Sequence, residues 1–494
     1  MGTDDELSSY LTRFLLNVSQ AISQDPGLPR PNPTTSSWQV PEHLLGSIQS
    51  PTLPKQTDFA VIGSGITGCS VTKTLLEHDA SRNSHVTILE ARTLVSGATG
   101  RNGGHLVTAS GHTYGPLAVQ HGVEAAKQIT RFSILNAQER CQIRAVLKVM
   151  AVGDEETWAA AKSSVLEFQG AVPEHSAYHR VIERGDVPER WNIEDAYGAV
   201  EHDAGAIWPY RLLMGIYEAL LKQHRNRLAI EANTPVLQVQ FSPSSNLDYP
   251  YLITTPRGTI RARKVLHCTN GHASHLLPQL AGRIYPFRGT MSVQKPGPTL
   301  RNLGASRSWS LSHKPTLDFR SGLYVTGLYY LQQNPLTGGI WIGNETAYMK
   351  DILTPDDTHV PKKARDALST VLPKLFLEGW APEAKTSEVE AIWSGIQGHT
   401  ADGLPIVGRI PDSITGDAGG GQWIAVGFNG YGMDKCWLTG EALVRMMFGE
   451  DVSDWFPLAY VVTEKRLRGK LTADETLLKF AKLANPQGVK LSKL

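Results

Sequence analysis

The chain carries the run Gly63-Ser64-Gly65-Ile66-Thr67-Gly68, whose glycine spacing leaves the main chain bare enough to receive a pyrophosphate. Gly63 permits a tight turn, Gly65 lets the backbone approach the phosphates, and Gly68 lets a helix pack closely on a strand. The unpaired N–H groups and partial positive charge of a helix N-terminus favour the anion. Glu90, 22 positions beyond Gly68, supplies the carboxylate that a ribose 2′-hydroxyl needs and would repel a 2′-phosphate. Together these residues describe a dinucleotide site.

A second glycine cluster follows at once. After Glu90-Ala91-Arg92 comes Ser96-Gly97-Ala98-Thr99-Gly100-Arg101-Asn102-Gly103-Gly104-His105. A nicotinamide site has no need of another bare stretch directly after the acidic strand. An isoalloxazine ring does, because its edge and the second phosphate call for small residues and backbone donors.

These loops need a scaffold. Asp58-Phe59-Ala60-Val61-Ile62 is a short apolar run ending in glycine, a helix through Leu75-Leu76 follows, and Val86-Thr87-Ile88-Leu89 is a second strand. That βαβ unit predicts a parallel sheet and an α/β fold. Residues 1–24 hold Leu7, Leu11, Phe14, Leu15, Val18 and Ile22 at helical spacing, and residues 25–57 are too proline-rich for a helix or central strand. Residues 116–195 read as largely helical, 210–228 as an amphipathic helix, 235–268 as a small sheet and 286–345 as strands. A helix is predicted over 361–377, then the strand Trp423-Ile424-Ala425-Val426-Gly427 and a helix from about Met433 to Met447.

Composition removes several function classes. Lys plus Arg (48) nearly balance Asp plus Glu (47), leaving +1, so bulk charge points to no nucleic-acid or anionic-membrane partner. Hydrophobic content of 41% with 19% charged residues suits a globular protein, and no apolar stretch is long enough for a transmembrane helix. Cys69, Cys141, Cys268 and Cys436 are far apart, which predicts neither a disulfide framework nor a structural metal. The acidic start, Met1-Gly2-Thr3-Asp4-Asp5-Glu6, lacks the features of a secretory signal. Ser492-Lys493-Leu494 matches the address read by the peroxisomal import receptor, so a peroxisomal location is expected.

Glu90-Ala91-Arg92 followed by Ser96–Thr99 resembles the flavoprotein oxidases of the D-amino-acid-oxidase-like (DAO) family, which includes sarcosine, glycine and γ-glutamylputrescine oxidases. Ser-Gly-Ala-Thr-Gly-Arg-Asn-Gly-Gly looks most like the γ-glutamylputrescine oxidase branch. Three later segments fall where the resemblance requires them: Pro235-Val236, Cys268-Thr269-Asn270-Gly271, and Trp393-Ser394-Gly395-Ile396-Gln397-Gly398-His399 running on to Gly408. The last is followed by Val426-Gly427-Phe428-Asn429-Gly430-Tyr431-Gly432-Met433, a strand, glycine turn and helix that would aim a helix N-terminus at the flavin.

The resemblance implies a Rossmann-type FAD-binding domain interleaved with a substrate domain built on an antiparallel sheet plus helices. The FAD-binding domain is expected from 55–115, 200–285 and 385–450, and the substrate domain from 116–199 and 286–384. An N-terminal helix and arm (1–54) and a C-terminal extension (451–494) flank them. FAD is expected to be non-covalent, because the positions where relatives attach it by His or Cys read Arg101 and Trp393-Ser394-Gly395 here.

The implied reaction oxidises the C–N bond of a small-molecule amine to an imine, with O₂ reduced to H₂O₂. A dehydrogenase, a monooxygenase or a non-catalytic flavoprotein subunit are the alternatives. Tyr329, Tyr330, Trp341 and Tyr431 are candidate aromatic walls, though each also fits a core position. His399 is a candidate hydrogen-bonding group and Lys295 a candidate charge for oxygen activation. Glycine-oxidase-like members hold the substrate α-carboxylate with an Arg where this chain has Gln397, and a neutral amide lacks that charged fork. An amine or polyamine derivative is therefore expected over a simple α-amino acid, unless Arg101, Arg288 or Arg320 restores the clamp.

Overall fold

A computed structural model describes residues 2–138 and 144–485. Cys141 and Ser492–Leu494, with the peroxisomal expectation that rests on the latter, lie outside the described residues. Two sheets face each other across a cavity.

The first sheet grows from the βαβ unit. Gln56–Ile62 runs parallel to Val86–Leu89 on one side and to Gly258–His267 on the other. Leu228–Glu231 extends one edge and Gln422–Val426 the other, both parallel, and Ile406–Arg409 closes that second edge antiparallel. Thr57 through Ile62 are all buried, as a strand covered on both faces must be. Ile62 lies opposite both Leu89 and His267, so Gly63, Glu90 and Cys268 leave the sheet together at its carboxyl edge. That edge is where open parallel sheets bind ligands.

The second sheet has nine strands in the order Val389–Thr400, Ile284–Gln294, Ile340–Asn344, Leu328–Gln333, Arg307–Ser312, Arg144–Val152, Gly198–Ala206 and His105–Leu106, with His179–Glu183 beside Gly198–Ala206. One face packs Val149, Trp309, Leu331 and Ile342 against the helix Lys362–Leu375. The other face borders the cavity.

Residues 116–195 are not simply helical: between the helices Val123–Gln138 and Glu155–Ala171 lies the strand Arg144–Val152, and His179–Glu183 is another. The strand Arg144–Val152 is buried on both faces over most of its length, so its side chains show no alternation that would mark it in the sequence. The strand Gly198–Ala206 straddles the expected boundary at 200 and Val389–Thr400 falls inside the expected FAD-binding segment 385–450, yet both hydrogen-bond into the second sheet.

The N-terminal helix Gly2–Ser23 buries Leu11, Phe14, Val18 and Ile22 against Tyr285, Phe287 and the helix Ala473–Ala484. The proline-rich arm then lies along the second glycine loop. Ser36 Oγ donates to the Gly100 carbonyl (2.7 Å) and Trp38 Nε1 to that of Asn102 (2.6 Å).

Candidate active site

A cavity of ≈ 670 Å³ lies between the carboxyl edge of the first sheet and the open face of the second. Its volume falls in the range usual for small-molecule and cofactor sites. Its wall brings together most of the residues singled out from the sequence: Gly63–Thr67, Glu90, Ala91, Gly97, Ala98, Thr99, Arg101, Asn102, Gly103, His105, Val236, Thr269, Asn270, Gly271, Gln397, His399 and Phe428–Met433. Gly27, Leu28 and Pro29 of the arm join them, a contribution that no local pattern in the sequence announces.

The glycine-loop side is held by close packing. Gly63 has φ +104°, and a Cβ there would sit 2.6 Å from the Cys268 carbonyl oxygen. A Cβ on Gly68 would lie 2.0 Å from the Gly63 carbonyl oxygen, so helix and strand touch through bare backbone. Thr99 Oγ1 from the second loop accepts from the Ile66 N–H at 3.0 Å, which ties the two loops together. Glu90 accepts from the Ser64 N–H (3.0 Å) and hydroxyl (2.6 Å), fixing its carboxylate at the wall.

The helix Cys436–Met447 packs beside Ile66–Glu77, where a Cβ on Gly440 would come 2.7 Å from Ser70 Cβ. Both helices therefore start at the cavity, with Ile66, Thr67 and Cys436 on its wall. Thr269 Oγ1 is buried there with no partner among the described residues. Two helix N-termini, a positioned carboxylate and an orphan hydroxyl fit a dinucleotide carrying a flavin.

Six residues expected to bind cofactor lie off the wall. Gly68, Gly104 and Gly398 serve close packing: their Cβ atoms would strike Gly63 O at 2.0 Å, Gln332 Nε2 at 2.5 Å and Asn270 Oδ1 at 2.6 Å. Arg92 pairs with Asp357 at 3.0 Å. The Ser96 carbonyl accepts from Arg92 and Arg101. Trp393 is fully buried and donates to the Arg101 carbonyl at 2.9 Å.

The sheet side supplies the chemistry. Tyr330 lies opposite Gly343, Gly343 opposite Met291, and Gly289 opposite Gly395, so the residues two apart on these strands share one face. On that face Glu345, Tyr330 and Gln397 meet. Glu345 Oε1 accepts from the Tyr330 hydroxyl (3.1 Å) and from Gln397 Nε2 (3.0 Å). Gln397 Oε1 in turn faces His399 Nε2 at 2.8 Å, and the His399 ring stacks on Phe287 with centroids 4.2 Å apart.

Burial pushes the Glu345 carboxyl up to about 7. Burial also drives His399 down to about 3, so its ring is neutral and donates to Gln397. The loops press on this network. A Cβ on Gly103 would lie 2.9 Å from the Tyr330 ring, and one on Gly430 would lie 3.0 Å from Gln397 Oε1.

Two of the four expected catalytic residues are placed elsewhere. Tyr329 neighbours Tyr330 but points to the opposite face, where it packs on the Trp309–Leu331–Ile342 core. Strand alternation decides this, and aromatic content alone cannot. Lys295 follows the end of Ile284–Gln294, is half-exposed and pairs with Glu388 at 2.6 Å, away from the wall.

None of the three arginines restores a clamp. Arg101 donates to the carbonyls of Ser96 (2.9 Å), Ser394 (2.7 Å) and Thr34 (2.7 Å). Arg288 donates to the Asp356 carbonyl at 2.9 Å, off the wall, and Arg320 is exposed in a turn. Trp341 shares the sheet face of Gly343 but lies off the cavity wall, stacked on Trp38.

Glu345 and Lys148, both on the wall, were missed by sequence reasoning. A lone charge inside Val146-Leu147-Lys148-Val149-Met150 was the available signal, since a buried lysine is rare without a task.

A family model described as "DAO: FAD dependent oxidoreductase" matches residues 58–446. Among curated proteins, the gamma-glutamylputrescine oxidoreductase of Escherichia coli (strain K12) is 24% identical over 417 residues, covering 80% of this chain and 84% of that one. Among solved structures, glycine oxidase from Geobacillus kaustophilus aligns with a TM-score of 0.60 at 19% identity, over 83% of this chain and 99% of that one. L-proline dehydrogenase from P. horikoshii gives 0.56 at 19%, over 85% and 100%. At such identities the structural likeness speaks for the fold.

Proposed function

Because the chain belongs to the DAO family of FAD dependent oxidoreductases, we propose that it oxidises the C–N bond of a small-molecule amine to an imine, with O₂ as the final acceptor and H₂O₂ as the second product. The gamma-glutamylputrescine oxidoreductase and glycine oxidase relatives support the amine. The observation that carries the reading is Glu345: a buried carboxylate on the wall, fixed through Oε1, opposite the loops that fit the flavin.

Gly63–Thr67, Glu90, Gly97, Ala98, Thr99, Arg101, Asn102, Val236, Asn270 and Phe428–Met433 would hold FAD. When bound, FAD supplies the acceptor for the hydride leaving the carbon next to nitrogen. The protein's own part is positioning and proton control. Tyr330 and Gln397 occupy Glu345 Oε1, and no described residue donates to Oε2. Oε2 is thus free to receive a proton from a substrate ammonium, leaving the amine nitrogen with the lone pair that imine formation needs. His399, neutral and stacked, holds the Gln397 amide in the orientation that donates to Glu345. The apolar faces of Phe287, Met291 and Leu328 on the wall exclude water.

Anaerobic mixing of the yellow holoprotein with secondary amines, polyamines and amino acids tests this reading. One class bleaches the flavin, and H₂O₂ appears on admitting air. No bleaching by any amine overturns the amine reading, and bleaching without peroxide overturns the O₂ part. Peroxisomal residence belongs to the proposal on the strength of Ser492-Lys493-Leu494 alone. Import of a fluorescent protein carrying this tail, lost on deleting the three residues, checks it.

A further inference from the structure

The cavity does not end at Glu345. The strand Arg144–Val152 adds Lys148 and Met150 to its wall, and His105 and His112 stand beside them. Lys148 is 5% exposed, and among the described residues nothing gives it an acidic partner or a hydrogen bond. A buried ammonium with no counter-charge is costly unless something arrives to pair with it. Burial pushes Lys148 down to about 8, so it carries its charge at neutral pH.

Its surroundings offer polarity without charge. Lys148 lies opposite His202, and His202 lies opposite His179. The groups facing it from every packed element are His105, His112, His179 and His202, with Arg144 on its own strand donating to Gln332 at 2.9 Å. Burial holds all four imidazoles neutral, His105 and His112 down to about 3. The Nε2 atoms of His105 and His202 and the Nδ1 of His179 are buried without partners among the described residues.

Register locates this end relative to the acid. Tyr330 pairs with Ser310 and Ser310 with Met150, while Lys148 is two residues along the same strand and face. Two strand spacings and two residues put the Lys148 and Tyr330 Cα atoms roughly 12 Å apart. A carboxylate that takes protons and an unpaired ammonium therefore face one cavity from separate places.

The structure assigns Lys148 as the anchor for an anionic end of the substrate, so that the substrate is an amine bearing a carboxylate several bonds from the reacting nitrogen. The assignment rests on the amine-oxidation reading and deepens it. Gln397 has given up the carboxylate next to the C–N bond, and Lys148 takes one farther away.

Two probe series test it with the holoenzyme: ω-aminocarboxylates of increasing chain length and the n-alkylamines of matching length. The wild type favours the carboxylated member by roughly 10- to 100-fold in kcat/KM at one optimum length, the worth of a charge-assisted hydrogen bond. Lys148→Met and Lys148→Gln collapse that preference ratio, and Lys148→Arg keeps most of it. Flavin spectra and thermal midpoints confirm that the variants are folded. Equal rates for both series in the wild type, or a ratio unchanged in Lys148→Met, overturn the assignment while leaving amine oxidation standing. Plain n-alkanoates supply a readout without turnover. If they perturb the flavin spectrum of the wild type but not of Lys148→Met while no amine bleaches it, the anion site stands and the oxidation reading falls.

Discussion

The two walls of the cavity are built from different amounts of chain and by different physics. The glycine-loop wall is local: Gly63–Thr67, Glu90, Gly97–Thr99 and Arg101–Gly103 lie within about forty residues, and they act through bare backbone and helix ends. The sheet wall gathers Lys148, Phe287, Tyr330 and Gln397 from four strands, and Glu345 from just past the end of a fifth, Ile340–Asn344, spread over about 250 residues of chain, and it acts through side chains. The first wall is specified by which residues are absent, since a Cβ at Gly63 or Gly68 would strike backbone. The second is specified by which of two alternating faces a residue occupies. A loop wall of this kind is a general holder, and a sheet wall can change its chemistry without disturbing it.

Substitutions on each wall sharpen that contrast. The largest effect belongs to Glu345→Gln, which keeps the shape but removes the proton acceptor: kcat/KM falls by roughly 10²- to 10⁴-fold while the flavin spectrum stays intact. Its pH profile carries the sign. The raised carboxyl is charged only above about 7, so wild-type kcat/KM climbs through that pH, and the limb disappears in the variant. The groups facing Glu345 are Tyr330, Gln397, Tyr324 and Tyr431, all uncharged at that pH, so no neighbour supplies a substitute limb. A limb that persists in the variant would assign the proton elsewhere.

On the loop wall, Gly68→Ala forces a Cβ to within 2.0 Å of the Gly63 carbonyl and weakens FAD retention by roughly 10- to 100-fold, read from the absorbance of purified protein. Its defect is loss of cofactor, whereas that of Glu345→Gln is loss of turnover with cofactor in place. If Gly68→Ala kept its flavin and lost turnover, the division between the walls would fail.

Smaller still is the contrast between neighbours. Tyr330→Phe loses one hydrogen bond to Glu345 and costs roughly 3- to 10-fold in kcat/KM, while Tyr329→Phe, on the far face, changes it by less than about twofold. Least of all, Lys295→Ala removes a half-exposed ion pair and leaves peroxide formation within about twofold of wild type.

Much of the fold was legible because its signals are contiguous. The strand at Asp58–Ile62, the turn, the helix and the strand at Val86–Leu89 follow one another, and the α/β class and parallel sheet follow from them. The strand Arg144–Val152 was not legible, because burial on both faces erases the alternation that marks a strand. Glu345 was passed over because nothing local distinguishes it. Its raised carboxyl arises from desolvation by segments far away in sequence, and its partner Gln397 lies 52 residues on. In the sequence, Gln397 stands out for the charge it lacks. Its position shows a second use, as the amide that holds Glu345 in place.

The sequence by itself determined the dinucleotide cradle, because glycine spacing, a following helix and an acid at the next strand end are chemistry written in consecutive residues. The tertiary structure alone decided that Tyr330 and not Tyr329 faces the cavity, that Arg101 is consumed by carbonyls, and that Lys148 stands on the wall unpaired among the described residues. Each of those outcomes depends on strand pairing between distant segments, and pairing sets both the face a side chain takes and the solvent it loses.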